Sequence, residues 1–298
     1  MIFSKRHQSI SFISFQVSYM KKFLAVFDGY KMSKSTLEYA IQLTWAADAH
    51  LVGVFLDEFI YRNYNVTKVI KIYNDYDTAI RALDAKDKEK RDGSARQFQK
   101  ACSKAAIRFS IHRDKSIAIQ ELKHESMFAD LIIINENETF TKQREEPPTR
   151  FMKDLLGDVQ CPVLVVPDAF RRIDKIVLLY DGGPSALFAV KMFSYLFGTL
   201  KELPVEVYTV NDRLASLRMP DNKLMREFIK RHFPKVIYTI NKGNAEEQIL
   251  GHLRNHKENE LVVLGAYRRT ELSRWFKKSM ADVLMKELDT PLFIAHNK

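Results

Sequence analysis

Cysteine is scarce in this chain, which has only Cys102 and Cys161 among its 298 residues. Two cysteines cannot form the disulfide framework of a small secreted domain, and no cysteine and histidine residues have the spacing of a zinc site. We therefore expect no metal site. We also expect both cysteines to be buried, small apolar side chains of a cytoplasmic protein, because thiols persist in a reducing compartment.

Long apolar runs are also missing, since no stretch approaches the roughly 20 apolar residues that a membrane helix needs. We therefore expect no membrane partner. Residues 1–19 have a broken apolar stretch and lack the small-residue cleavage pattern of a signal peptide. Met20 begins a segment that resembles a natural protein start, so residues 1–19 are interpreted as a tail or an overlong gene start.

A concentrated basic segment is absent as well, although the formal net charge is +10. Such a charge would suit nucleic acid or an anionic surface. The charges are dispersed along the sequence, however, and no basic strip is interleaved with the aromatic residues that would stack on bases. The sequence alone therefore indicates a solvated basic surface and no nucleic-acid partner.

The sequence does contain the same α/β unit twice. An apolar strand leads to Asp28-Gly29 in the first copy and to Asp181-Gly182 in the second. Each copy ends in a short apolar strand introduced by proline. The length suits two domains of ordinary size, and we predict domains at 20–168 and 174–298.

Strands that alternate with helices predict open parallel sheets with right-handed crossovers and helices on both faces. The closing strands, near 162–166 and 291–295, would lie at sheet edges, where they can pair between copies or between chains. In the first helix, near 34–48, an apolar stripe that includes Trp45 is predicted to face the sheet.

The candidate site lies beyond the carboxyl ends of the strands, where ligands bind in such sheets. This places Asp28, Asp181 and the loop after each fourth strand there. In the second copy that loop starts at Gly265, which would allow close backbone approach, and leads into a helix whose free N–H groups suit an anion. Ser279 could add a hydroxyl contact.

These features together resemble the universal stress protein family. Its pattern is a strand-one Asp-Gly, a loop Gly-x-x-Gly, nine residues, then Gly-Ser or Gly-Thr, and a final Cys-Pro-Val-Leu-Val-Val strand. Residues 161–166 match that strand. In the second copy the matching positions are Gly265, Arg269, Leu272, Ser273, Arg274 and Ser279. The resemblance covers 21–168 and 174–297.

The resemblance implies two tandem open parallel five-stranded sheets with strand order 3-2-1-4-5, paired within the chain, with a homo-oligomer left open. It also implies ATP or another adenine nucleotide as ligand. Carried over by position, Asp181 and Val210 would hold the adenine, and Gly265 and Ser279 would hold the phosphates.

The second copy departs from the pattern where Arg268 and Lys278 replace loop glycines. The β-carbons of these two residues should crowd the phosphates of a ligand, although their charged ends attract phosphate. We expect weakened or altered binding, with Arg268 as a contact.

The first copy has Asn135-Glu-Asn-Glu138 after its fourth strand, with no glycine. A carboxylate about 5 Å from a phosphate charge costs roughly 1 kcal/mol in water and about 3 kcal/mol at an effective dielectric constant of 20. We therefore interpret the first copy as a structural partner in which Asp28 caps a turn or helix.

The leading hypothesis is a non-enzymatic stress-response protein with weak adenine-nucleotide binding in the second domain only. One alternative is a nucleotide hydrolase or phosphotransferase that uses the second-domain loop, although no general base or Walker-type Lys-Ser pair is visible. The other is a purely structural dimerisation module without a ligand.

Overall fold

The computed structural model describes residues 20–29, 31–56, 76–114, 118–141, 144–211, 217–255, 259–266 and 279–297. The strands are β1 Lys22–Asp28, β2 His50–Leu56, β3 Arg108–Asp114, β4 Leu131–Asn135, β5 Val163–Val166, β6 Lys175–Leu179, β7 Val205–Asn211, β8 Val236–Lys242, β9 Glu260–Gly265 and β10 Leu292–Ala295. The helices are α1 Lys34–Ala47, α2 Tyr76–Lys104, α3 Ala118–Ser126, α4 Arg150–Asp158, α5 Pro184–Leu196, α6 Asn222–His232, α7 Ala245–Asn255 and α8 Met280–Glu287.

The strands form one mostly parallel sheet in the described part of the chain, with the order β3-β2-β1-β4-β5-β10-β9-β6-β7-β8. Each half keeps the order 3-2-1-4-5, but the expectation of two separate sheets is wrong. The closing strands β5 and β10 pair antiparallel, with Leu164 opposite Phe293. Each closing strand has an unsatisfied edge in its own half, and the two edges satisfy each other at the centre of the sheet.

Two layers of helices cover the sheet. Helices α1, α2, α5 and α6 pack on one face, and α3, α4, α7 and α8 pack on the other. Most strands read as continuous apolar runs because both of their faces are buried. Both cysteines are buried as expected, Cys102 within α2 and Cys161 just before β5.

The first helix corrects one prediction. Ser33 caps its start by accepting a hydrogen bond from the Thr36 N–H, as N-cap serines do. Trp45 was predicted to face the sheet, but its side chain is 73% exposed. The buried stripe passes through Leu43 and Ala47, which leaves Trp45 on the solvent side of the last turn.

Several sequence predictions fall on undescribed residues. Most of the insert predicted at 58–80 lies there, and the described chain resumes with α2 at Tyr76. The last helix was predicted at 270–288, of which the structure describes α8, Met280–Glu287. Residues 1–19 also lie outside the described ranges. None of the described helices combines the length and apolarity needed to cross a bilayer.

Candidate functional site

The candidate site of the second half begins where β6 ends. The Asp181 Oδ1 accepts a hydrogen bond from the Gly183 N–H at 2.7 Å. Gly182 has a φ of +81°, a conformation that glycine adopts without strain. Gly183 is the N-cap of α5, and Pro184 occupies the first helical turn. One carboxylate oxygen of Asp181 therefore fixes the turn into α5.

Gly265 ends β9, the neighbour of β6 on the other side of the switch point. A β-carbon built at this residue would lie 2.3 Å from the carbonyl carbon of Ser185 and 2.5 Å from the Ala186 nitrogen. Glycine is therefore required here because the first turn of α5 packs directly against the end of β9. This packing role accounts for Gly265 without a ligand.

Val210 lies at the same edge of the sheet, near the end of β7. The residue is buried, with only 4% of its surface exposed. The preceding residue, Thr209, ties the edge together because its hydroxyl donates to the Tyr180 carbonyl at 2.9 Å. The structure therefore places Val210, Asp181 and Gly265 along one carboxyl edge.

Ser279 is the N-cap of α8 but makes no side-chain cap. Its Oγ is buried and has no hydrogen-bond partner in the described part of the chain. The crossover from β9 through α8 to β10 places this helix start at the same carboxyl edge. The hydroxyl of Ser279 is therefore an unsatisfied buried group at that edge, within the described part of the chain. Arg268, the remaining predicted site residue, lies outside the described residues.

The corresponding N-cap in the first half, Thr149, is fully engaged. Its hydroxyl accepts from the Met152 N–H at 3.2 Å and donates to the Glu138 carbonyl at 2.7 Å. The second of these bonds holds the loop after β4 against α4. The two halves therefore differ at this N-cap, since its hydroxyl is hydrogen-bonded in the first half and has no partner in the described part of the second half.

The loop after β4 also fills the first half's site with side chains. Phe140 is 1% exposed and its ring lies 4.5 Å from that of Phe151. Burial, followed by the negative charge of Asp28, raises the pKa of Glu138 to about 7. Glu138 therefore lies near the strand-one aspartate, in a position that would repel a polyanion.

No protein-family model matches the chain, and no curated protein matches it. Solved structures do match it over both halves. A universal stress protein from Archaeoglobus fulgidus DSM 4304 superposes with a TM-score of 0.66 at 14% identity, covering 93% of this chain and 98% of its own. The chain has the fold of the universal stress proteins.

Two further structures support this assignment of the fold. A candidate universal stress protein from Pseudomonas aeruginosa UCBPP-PA14 gives a TM-score of 0.56 at 14% identity, covering 93% of both chains. A protein of unknown function from Pseudomonas aeruginosa PAO1 gives 0.54 at 14% identity, covering 93% of this chain and 92% of its own. The universal stress protein fold thus extends across both halves of this chain.

Sequence reasoning missed a buried polar network on this fold, at the amino edge of the second half. The Lys175 ammonium lies 2.8 Å from Glu206 Oε2 and 3.0 Å from Glu260 Oε1. His252 Nε2 lies 3.1 Å from Glu206 Oε1, to which the Thr239 hydroxyl also donates. A glutamate within the otherwise apolar start of β7 was the available signal, because a buried charge needs partners.

A buried carboxyl also marks the junction between the halves. Glu136 follows β4 and is 5% exposed. Burial, followed by the charges of Asp289 and Asp168, raises its pKa from 4.5 to about 8. Asp289 belongs to the second half, so ionisation of Glu136 places like charges across the junction.

Glu136→Gln should therefore increase the free energy of unfolding at pH 8 by on the order of 2 kcal/mol. Because the folded-state pKa is raised, the folded state keeps the proton between pH 4.5 and 8, and wild-type stability falls as the pH rises through that window. Urea denaturation at pH 5 and pH 8 measures the difference. Glu38→Gln, at an exposed position of α1, is the control; an equal gain at both pH values for Glu136→Gln would contradict this interpretation.

Proposed function

We propose that the chain is a tandem universal stress protein that acts in a cytoplasmic stress response without catalysing a reaction. In this proposal the domains are 20–168 and 174–298, and only the second binds an adenine nucleotide, weakly. The first domain serves as a structural partner. The antiparallel pairing of β5 with β10 supports such a pairing within one chain.

The observation that carries the proposal is the difference between the two N-caps. At Thr149 both hydroxyl bonds are made within the chain, whereas the Ser279 Oγ is buried without a partner in the described residues. An unsatisfied buried hydroxyl costs free energy unless a ligand or water completes it. A phosphate oxygen at the start of α8 would complete it and would also meet the positive end of the helix dipole.

The remaining roles are assigned by position. Asp181 and the main chain of Val210 contact the adenine at the carboxyl edge of β6 and β7, where ligands of open parallel sheets bind. Gly265 holds the start of α5 against β9 and so shapes the edge beneath the phosphates. Arg268 offsets part of the affinity lost with the loop glycine, because its guanidinium can bind phosphate.

Isothermal titration with ATP and ADP tests this assignment. We expect weak saturable binding that is lost in Asp181→Ala and unchanged in Asp28→Ala, the equivalent substitution in the first half. Release of inorganic phosphate from ATP should stay at the background rate in the same samples. Turnover that disappears in Asp181→Ala would instead support a nucleotide hydrolase.

Ser279→Ala should weaken ATP binding by about tenfold, while leaving the free energy of unfolding of the unliganded protein unchanged or slightly higher. The hydroxyl contributes no bond within the described chain, and hydrogen bonds to charged groups contribute roughly 1.5–3 kcal/mol. Thr149→Ala is the matched control. It should leave ATP affinity unchanged and lower the free energy of unfolding, since it removes a cap that contributes about 1 kcal/mol to stability. Unchanged ATP affinity in Ser279→Ala would remove this serine from the site.

A homo-oligomer would need a surface other than the closing strands. Strands β5 and β10 are paired on both sides within the described sheet. The outer strands β3 and β8 each pair on one side only in that sheet, so they are the edges that a second copy could extend.

A further inference from the structure

The C-terminal ends of α1 and α5 meet on one face of the molecule. The Thr199 hydroxyl, just beyond α5, donates to the Ala46 carbonyl in the last turn of α1 at 2.8 Å. Trp45 and Tyr195 stand in these two last turns, at the same distance from their N-caps. The internal repeat therefore supplies one aromatic residue from each half to the same junction.

Both aromatic side chains are largely open to solvent, Trp45 at 73% and Tyr195 at 56% exposure. Neither ring is needed to fill the core beneath it, because Ala46 and Leu196 on the same turns are buried instead. Two such rings, exposed at the ends of helices that the Thr199–Ala46 hydrogen bond joins, offer aromatic faces to a ligand.

Three lysines, Lys21, Lys191 and Lys201, lie at this junction. The Lys21 ammonium donates to the Ala47 carbonyl at 3.3 Å, which places it at the end of α1. Burial, followed by the charge of Lys21, lowers the pKa of Lys201. Burial, followed by Lys201 and Lys191, lowers the pKa of His232, whose ring lies 5.5 Å from that of Tyr195.

This set of lysines and rings is called the junction face: Lys21, Lys191 and Lys201 with the rings of Trp45, Tyr195 and His232. The neighbouring carboxylates neutralise only part of the positive charge of the junction face. Glu227 pairs with Arg231 at 3.2 Å and Asp48 pairs with Arg108, while Glu202 is exposed beside Lys201. The charge of Lys21 contributes to the lowered pKa of Lys201, so these two cations repel each other, and an anionic ligand would relieve that repulsion.

We infer that the junction face binds single-stranded nucleic acid, with bases stacked on Trp45 and Tyr195 and phosphates on the surrounding lysines. Aromatic faces combined with a positively charged track are the recognition chemistry of sequence-independent single-strand binding. A second copy of the chain is a poorer occupant because its identical face would present like charges. The sequence did not reveal this surface because its residues come from separate segments.

Fluorescence anisotropy of the full chain with a labelled oligothymidylate tests the inference. Trp45→Ala and Tyr195→Ala should each weaken binding by about tenfold at constant salt, and Trp45→Phe should retain most of the affinity. Lys191→Glu should also weaken binding and make the dependence of affinity on salt shallower, because fewer counterions are released.

Two matched controls lie on the opposite helical layer. Phe128→Ala removes an equally exposed ring, and Lys153→Glu makes the same charge change on α4; both should bind within about twofold of wild type. Asp181→Ala should bind the oligothymidylate as the wild type does. The result for this inference is therefore independent of the result for the nucleotide proposal. Circular dichroism confirms that each variant is folded.

Three results would overturn the inference. One is the absence of saturable binding at low salt. Another is an equal loss of affinity in the junction-face and control variants, which would indicate charge attraction over the whole surface. The third is binding to polyglutamate or to anionic vesicles that is as tight and depends equally on Trp45, which would assign the face to an acidic protein or a membrane.

Discussion

Lys175→Met should lower the free energy of unfolding by about 3 kcal/mol at pH 7, because it leaves two buried carboxylates without their shared cation. The side chains of Glu206 and Glu260 are 6% and 4% exposed, and Lys175 lies within 3.0 Å of each. Burial alone would raise the pKa of Glu206, but hydrogen bonds from His252, Lys175 and Thr239 outweigh it and lower the value to about 2.

The pH dependence follows from that lowered pKa. In the wild type, Glu206 contributes stability above pH 4.5 that is lost as the pH falls toward 2. In Lys175→Met the two carboxylates repel each other and protonation of Glu206 relieves that repulsion, so the deficit in the free energy of unfolding relative to wild type should shrink between pH 7 and pH 5. Urea denaturation at both pH values measures it.

The internal repeat provides the control for this substitution. Lys22 opens β1 as Lys175 opens β6, but its side chain is 31% exposed and lies 3.6 Å from Glu125 Oε2. Lys22→Met should therefore cost about 1 kcal/mol or less, as for an exposed ion pair. Equal losses in the free energy of unfolding for the two lysine variants would contradict this account. So would a loss in Lys175→Met that does not change with pH, because Lys175 would then not stabilise the ionised glutamates.

Gly265→Ala should destabilise the protein by about 3 kcal/mol, at the upper end of the usual cost of overpacking. The added β-carbon meets the backbone of Ser185 and Ala186 rather than a flexible side chain, so either β9 or α5 must move.

Chemical denaturation compares this variant with Gly251→Ala. Gly251 lies in α7, and a β-carbon added there would have no atom of another described element within 4 Å, so alanine should stabilise by roughly 0.5–1 kcal/mol. A neutral Gly265→Ala would show that the end of β9 can relax away from α5.

The architecture of each half could be predicted from the sequence because the strands are apolar runs separated by helices with recognisable starts. Pro184 and the strand-end Asp181-Gly182 turn are examples of local signals that the structure reproduces. The single sheet could not be predicted, since an exposed closing strand can pair with another copy in the chain or with another chain. Only the tertiary structure distinguishes these two options.

The site was predicted less completely. The positions of Asp181, Val210 and Gly265 at one edge follow from topology, but the contact between Gly265 and Ser185 depends on how closely α5 approaches the sheet. The unsatisfied hydroxyl of Ser279 is a property of tertiary packing and has no sequence signal. Trp45 was misplaced because a stripe of apolar residues on one helix does not reveal where its buried arc ends.

Native mass spectrometry of the full chain with ATP tests the central claim, that only the later half keeps a site open to a nucleotide. We expect one adenine nucleotide per chain, absent in Asp181→Ala and present in Asp28→Ala. Two nucleotides per chain, or one that is lost in Asp28→Ala and kept in Asp181→Ala, would contradict the account.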